Sequence, residues 1–334
     1  MIQEFIKEIV KIDSPSGYTD NAINHLKEKY SQMGYKTKFT NKKALFVSAN
    51  DNVKFALSSH VDTLGAMVKN IKSDGTIKIT QIGRFPNNSF EGEYIRIITR
   101  DKKIITGTFL LNNPSSHVNK DIAKMERTED NMSIRLDAEV KSASDTENLG
   151  IEIGNYIFFN PRYEYTETGF VKTRFLDDKA CVGIFMDILS NHKDLIEKHS
   201  VGFYFSNYEE VGHGAAYGIP ESVEELLVAD MGVVGEDVKG DEYSVSICPK
   251  DSIGPYDYDL TNELVSIAKE KKINYKIDVF PYYGSDGSAA LSAGCGFRVA
   301  LIGPGVSASH GVERTHIKAL NATKELIMEI IQRR

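Results

Sequence analysis

A chain of 334 residues exceeds one minimal domain and suits a large α/β domain carrying an insertion. With 41% hydrophobic and 26% charged residues it has the composition of a globular protein able to bury a core, which sets disorder aside. Its net charge of −7, from 47 acidic against 40 basic residues, and the lack of a dense Lys/Arg block argue against nucleic acid or anionic membrane as partners.

The opening MIQEFIKEIVKI spaces apolar residues as a helix does but interrupts them with Glu and Lys, so it lacks the unbroken apolar centre of a secretory signal. No stretch approaches the roughly 18 apolar residues of a membrane span. Cys181, Cys248 and Cys295 are odd in number and far apart, with no CxxC pattern, and a reduced cytoplasm is expected. The first 35 or so residues read as two helices joined by the helix-breaking turn Ser14-Pro15-Ser16-Gly17. A strand over 53–59 ends abruptly at His60-Val61-Asp62, the carboxyl end of a buried strand, where open α/β sheets keep their sites. From about Met67 to Tyr165 short β-rich pieces (76–82, 94–99, 104–110) alternate with Gly, Asn and Asp turns. An inserted β-barrel over 66–169 is therefore expected, interrupting an α/β domain formed by 1–65 and 170–334. The α/β rhythm then returns with a helix over 179–189, strands over 201–206 and 226–229, a helix near 260–271, a strand over 298–302, a Gly-rich loop over 303–310 and a closing amphipathic helix over 317–331.

Five clusters place metal-competent residues directly after an apolar strand or at a helix start: His60-Val61-Asp62, Asp177-Asp178-Lys179, Glu209-Glu210-Val211-Gly212, Ala229-Asp230 and Ser309-His310. Each alone has an ordinary structural explanation, such as a hydrogen-bonded His, an N-cap or a solvated turn. Together they converge on one edge of a doubly wound sheet. They also supply the two imidazoles and three carboxylates that two cations about 3.5–4 Å apart require. A mixed N/O donor set without thiolate suits zinc, cobalt or manganese. Asp62, two residues past His60, lies on the same face of extended backbone and is positioned to accept the second imidazole N–H. Glu209 and Glu210 diverge in extended backbone, so one binds metal while the other serves as base.

These motifs, in this order, resemble the tetrahedral (TET) dodecameric aminopeptidases, the family of glutamyl and leucyl aminopeptidases that also contains proteins once described as endoglucanases. The likeness spans nearly the whole chain: Ser14-Pro15-Ser16-Gly17-Tyr18, Ser59-His60-Val61-Asp62 with Gly65, Asn113-Pro114-Ser115-Ser116-His117 within the β-rich insertion, Leu176-Asp177-Asp178-Lys179, Glu209-Glu210-Val211-Gly212, Asp230, Gly284-Ser285-Asp286 and Ser309-His310. The resemblance implies a mixed open sheet flanked by helices, of the co-catalytic zinc-peptidase type, with an inserted barrel that builds dimers and larger cages. It implies that Asp177 bridges two divalent metals, that His60 and Asp230 complete one site, and that Glu210 and His310 complete the other. Glu209 is then the general base, with Asp62 beside it in the catalytic set. The implied reaction is hydrolysis of the first peptide bond of a peptide with a free N-terminus by a water held between the metals.

The departures from the family pattern are Thr63 where an acidic residue is usual, Lys179 where Arg is common, and His310-Gly311-Val312-Glu313-Arg314-Thr315-His316 in place of His-Ser-Pro, which makes His316 a rival to His310. Asp286 is a candidate for the substrate pocket or a cap for a helix over 287–293, His117 is either a structural residue of the insertion or a substrate contact that reaches another subunit's site in an oligomer, and His213 reads as a surface turn residue. Three other functions compete. A related deacylase, carboxypeptidase or dipeptidase is disfavoured by an insertion that is β-rich instead of ferredoxin-like. A glycosidase needs two carboxyl groups facing across one bond, about 5 to 10 Å apart, which adjacent glutamates fit poorly. A non-catalytic assembly module is disfavoured by the presence of all five ligands and the base.

Overall fold

The computed structural model describes residues 1–334, which divide into two compact units, 1–63 with 162–334, and 64–161. The first unit opens with α1 (Ile2–Ile9), α2 (Asp20–Gln32), β1 (Lys36–Phe39), β2 (Leu45–Ser48) and β3 (Phe55–His60). The second comprises β4 (Gly65–Ile71), β5 (Ile77–Ile82), β6 (Tyr94–Ile98), β7 (Ile104–Leu111), β8 (Met132–Leu136), α3 (Ala143–Asn148) and β9 (Tyr156–Phe159). Its six strands close into a barrel in the order β4-β5-β8-β7-β6-β9. Closure follows from strands that alternate buried and exposed residues, as β7 does, around an interior filled by Phe90, Phe109 and Phe159 with Ile79, Ile97 and Ile134. Phe90 and Phe159 meet edge to face at 4.6 Å.

The first unit resumes with β10 (Glu164–Tyr165), β11 (Phe170–Thr173), α4 (Leu176–Asn191), α5 (Lys193–His199), β12 (Val201–Ser206), β13 (Glu225–Ala229), β14 (Gly232–Val234), β15 (Val245–Cys248), α6 (Tyr258–Lys271), β16 (Tyr275–Ile277), α7 (Asp286–Ser292), β17 (Arg298–Ser307), β18 (Glu313–His316) and α8 (Ile317–Ile331). They build one 12-stranded mixed sheet with the central path β1-β2-β12-β3-β13-β17-β18-β11-β10. At its heart β12, β3, β13 and β17 run parallel. β3, β12 and β13 are buried along their entire lengths, as strands covered on both faces must be. Because they are parallel neighbours, His60, Ser206 and Ala229 end them at one edge, and Asp230 follows there.

Helix α4 is buried over Leu176–Leu189 and crosses α1, whose Ile2, Ile6 and Ile9 form its covered face. Gly183 allows the close approach, since a Cβ there would collide with Cγ1 of Ile6. One sequence expectation is corrected: residues 303–307 are not loop, because β17 continues through them to Ser307. Gly303 and Gly305 pass so close to the backbone of Asp230 and Asp241 that a Cβ would collide, and this segment pairs with β15 on one side and β14 on the other. The glycines that suggested a loop are there to admit neighbouring backbone.

Candidate metal centre

The strand edge gathers residues from five places in the chain. His60, the last residue of β3, points Nε2 at Asp177 Oδ1, 3.0 Å away. His310, just beyond β17, lies with Nε2 3.3 Å from Asp177 Oδ2 and 3.6 Å from Glu210 Oε2. Each oxygen of one carboxylate thus faces a different imidazole. Ligand atoms of His60, Asp178 and Asp230 lie within 4.8 Å of one another, and so do those of Asp177, Glu210 and His310. Glu209 Oε2 stands 3.7 Å from His60 Nε2.

Local structure explains the placement. Asp177 and Asp178 begin α4 with non-helical backbone angles and a cis peptide bond between them, after Phe175 in the left-handed region at φ 69°. Asp178, unassigned from sequence, accepts Ser59 Oγ–H at 2.5 Å and the backbone N–H of His60 at 3.2 Å on one oxygen. Glu209 and Glu210 sit in a 3₁₀ turn, Glu209–Val211, not in extended backbone. Asp62 holds that turn: its Oδ1 accepts the N–H of Glu209 at 3.0 Å and its Oδ2 that of Glu210 at 3.2 Å. Ser16 Oγ–H also donates to Asp62, which gives the Ser14–Gly17 turn a place in the site. Thr63 ties the same turn down through its backbone, donating to Ser14 O and accepting from Ser16 N–H. His60 Nδ1 lies 2.9 Å from the backbone carbonyl of Asp62 and 3.6 Å from its carboxylate. The carbonyl is the nearer acceptor for an Nδ1–H, and Nε2 is left directed at Asp177.

Burial dominates the electrostatics. It pushes the carboxyls of Glu209 and Glu210 well above the usual range, and Asp177 adds to the effect on Glu210. It raises Asp230 to about 7, again with Asp177 contributing. Burial also opposes ionisation of Asp177, but hydrogen bonds to His310 and His60 outweigh it and hold that carboxyl below its ordinary value. For His310 burial opposes charging, and the hydrogen bond to Asp177 outweighs it, lifting the imidazole to about 10. Five carboxyl groups crowd against two imidazoles, a donor set rich in oxygen. Asp178 Oδ1 and Glu210 Oε1 are buried with no hydrogen-bond donor. A donor set of this kind fits divalent cations.

Other residues singled out from sequence fall elsewhere. His316 caps α8, with Nδ1 accepting the N–H of Lys318 and Nε2 2.9 Å from Thr168 O, so both ring nitrogens are engaged. Asp286 does not cap α7; Ser285 does, in a capping box with Ser288. Asp286 is buried, accepts Ser206 Oγ–H at 2.7 Å, and is raised by burial to about 6. Lys179 points away from the ligands and donates to Ile9 O and Ile12 O. His117 and His213 are exposed, His117 on the barrel unit. Sequence reasoning also passed over Tyr283, whose hydroxyl donates to Met231 O beside Asp230, and Glu313, a charged residue at an inward position of a short strand.

A buried cluster of His and carboxylate ligands on the carboxyl edge of a helix-flanked mixed sheet, with a closed six-stranded barrel in the same chain, defines a metallopeptidase. The sequence pattern of the M42 glutamyl aminopeptidases matches residues 42–326, and the chain belongs to that family. YhfE of Bacillus subtilis (strain 168), assigned as an aminopeptidase, is 45% identical over 334 residues, covering 98% of this chain and 96% of its own. The aminopeptidase APDkam598 from Desulfurococcus kamchatkensis shares the fold with a TM-score of 0.86 at 22% identity, over 100% of this chain and 95% of its own. The TET1 peptidase of Pyrococcus horikoshii does so with a TM-score of 0.84 at 21% identity, over 99% of each chain. The protein is a metal-dependent aminopeptidase, a hydrolase of peptide bonds that works with divalent metal ions. No helix is long and apolar enough to cross a membrane.

Proposed function

We propose that the chain removes N-terminal residues from peptides with a free amino terminus, using two divalent ions, zinc, cobalt or manganese, shared through Asp177. The observation that carries this reading is the Asp177 carboxylate, with one oxygen turned to His60 and the other to His310. His60 and Asp230 would hold one ion, Glu210 and His310 the other. Divalent ions supply Lewis-acid polarisation of the scissile carbonyl and ease deprotonation of water. Glu209 takes the proton of the attacking water and returns it to the departing amine; burial raises its carboxyl above the usual range, which favours its holding that proton between the two transfers. Asp62 orients both glutamates by fixing the turn that carries them. Asp286, with Oδ2 unpartnered, and the exposed His117 remain the candidate substrate contacts.

We also place the enzyme in a reducing cytoplasm, in keeping with three free thiols, and assign self-association, from dimer to dodecamer, to the barrel. The P. horikoshii TET1 peptidase is described as able to assemble into a tetrahedron or a large octahedral shell, and the barrel of this chain exposes Tyr94, Ile104, Val118 and Ile153.

Two substitutions test the roles. Glu209→Gln should keep both ions and lose most turnover, about 10²-fold or more, whereas Asp177→Asn should lose metal as well. Metal content by elemental analysis and release of the first residue from a peptide, with its N-acetylated form as control, are the measurements. Wild-type cleavage by both variants would refute the assignment, and cleavage of the acetylated peptide would refute the requirement for a free terminus.

A further inference from the structure

We infer that Glu313 is a positioning residue for the half of the metal centre built from Asp177, Glu210 and His310. The inference rests on the two-ion reading above. Glu313 is buried in β18, three residues after His310, and Thr173, opposite it in the β11/β18 pairing, lies four residues before Asp177. It therefore stands between two ligand-bearing segments far apart in sequence. Its carboxylate uses both oxygens on them: Oε1 accepts the backbone N–H of His310 at 2.8 Å and Oε2 that of Asp177 at 3.1 Å. Neither bond touches a side-chain donor atom of the proposed ligands; both act on their backbones alone.

The His310 backbone needs such support. It sits at φ 60°, as Ala308 does, in the left-handed region that disfavours a non-glycine residue. The hydrogen bond that its N–H donates to the buried Glu313 carboxyl group opposes that preference. The design repeats one seen nearby, where Asp62 uses its two oxygens on the backbone N–H groups of Glu209 and Glu210. Two buried carboxylates thus hold four of the proposed functional residues by their main chains. A carboxylate is the side chain that offers two acceptors in this geometry. Glutamine replaces one acceptor with an NH₂ that confronts an N–H, and aspartate is one methylene too short to reach both groups.

The test is a titration of metal-free wild type, Glu313→Gln and Glu313→Asp with Co²⁺, followed by visible absorption of the bound ion, together with kcat and KM for a dipeptide amide. The wild type should bind two ions per chain. Glu313→Gln should bind one ion as the wild type does and the other roughly 10- to 100-fold more weakly, with an altered spectrum for that ion alone. Its kcat should fall while KM changes little. If Glu313→Gln does not fold, Glu313→Asp is read by the same criteria. Two ions bound with wild-type affinity and spectrum would overturn the inference and leave the two-ion reading intact. Equal weakening of both ions alongside a lowered melting temperature would show a general structural role and also overturn it. A wild-type chain that takes up fewer than two ions would overturn the two-ion reading, and this inference with it.

Discussion

Lys179 shows how a residue beside a candidate metal-ligand motif takes on another task. In the family pattern Arg is common there, yet here the amine is buried and donates to Ile9 O at 3.0 Å and Ile12 O at 2.7 Å, closing the end of α1. Burial lowers its pKa from 10.5 to about 7, against the opposing pull of Asp13 and Asp62. The folded protein therefore gives up this proton at a lower pH than the unfolded chain does. Between about pH 7 and pH 10.5 the unfolded state binds more protons, and this residue makes stability rise with pH across that window. Lys179→Met should destabilise the protein by about 1–3 kcal/mol at pH 9, because Ile12 O loses its donor. It should also flatten the rise in stability between pH 7 and pH 9. Urea denaturation of both proteins at the two pH values checks this, and an unchanged slope would refute the linkage. The sequence marked Lys179 only as a departure from pattern, since nothing local tells which carbonyls an amine will reach.

At the scale of elements, apolar periodicity was an accurate guide where burial is one-sided. The expected helix over 317–331 forms as α8, Ile317–Ile331, with its apolar residues turned inward. The guide failed where glycine meant close approach and not a turn, as in β17. Gly183 is another such case, in the middle of α4. Intrinsic preference says that Gly183→Ala should strengthen a helix by about 0.5–1 kcal/mol. The contact with Ile6 reverses the sign, because α1 must move to admit a methyl group. A loss of about 1–3 kcal/mol is expected, read by chemical denaturation. A more stable variant would mean that the α1/α4 crossing has slack.

At the scale of the whole molecule, the barrel adds to the open sheet of the α/β unit a closed one, whose strands expose Tyr94 and Ile104. Closing a sheet removes its edges, so association through the barrel would run through side chains and not through strand addition. If the proposed self-association runs through the barrel, replacing Tyr94 and Ile104 together by Asp should lower the particle mass in light scattering, while each chain keeps its metal content. An assembly of unchanged mass would move the interface elsewhere.

The sequence alone determined the class: the order of motifs and the alternation of apolar segments identified the family, the α/β sheet with its inserted barrel, and a metal-dependent aminopeptidase. These are legible because they depend on local spacing, and because parallel strands put their carboxyl ends at one edge whatever the loops do. Only the tertiary structure decided which atoms face each other. It brought Asp178 beside His60 and Asp230, set Glu313 between Asp177 and His310, turned both ring nitrogens of His316 to other partners, and gave the cap of α7 to Ser285 in place of Asp286. Hydrogen bonds that join residues more than a hundred positions apart leave no periodic trace, because their partners are set by how strands and helices pack and not by the neighbours each residue has in the chain.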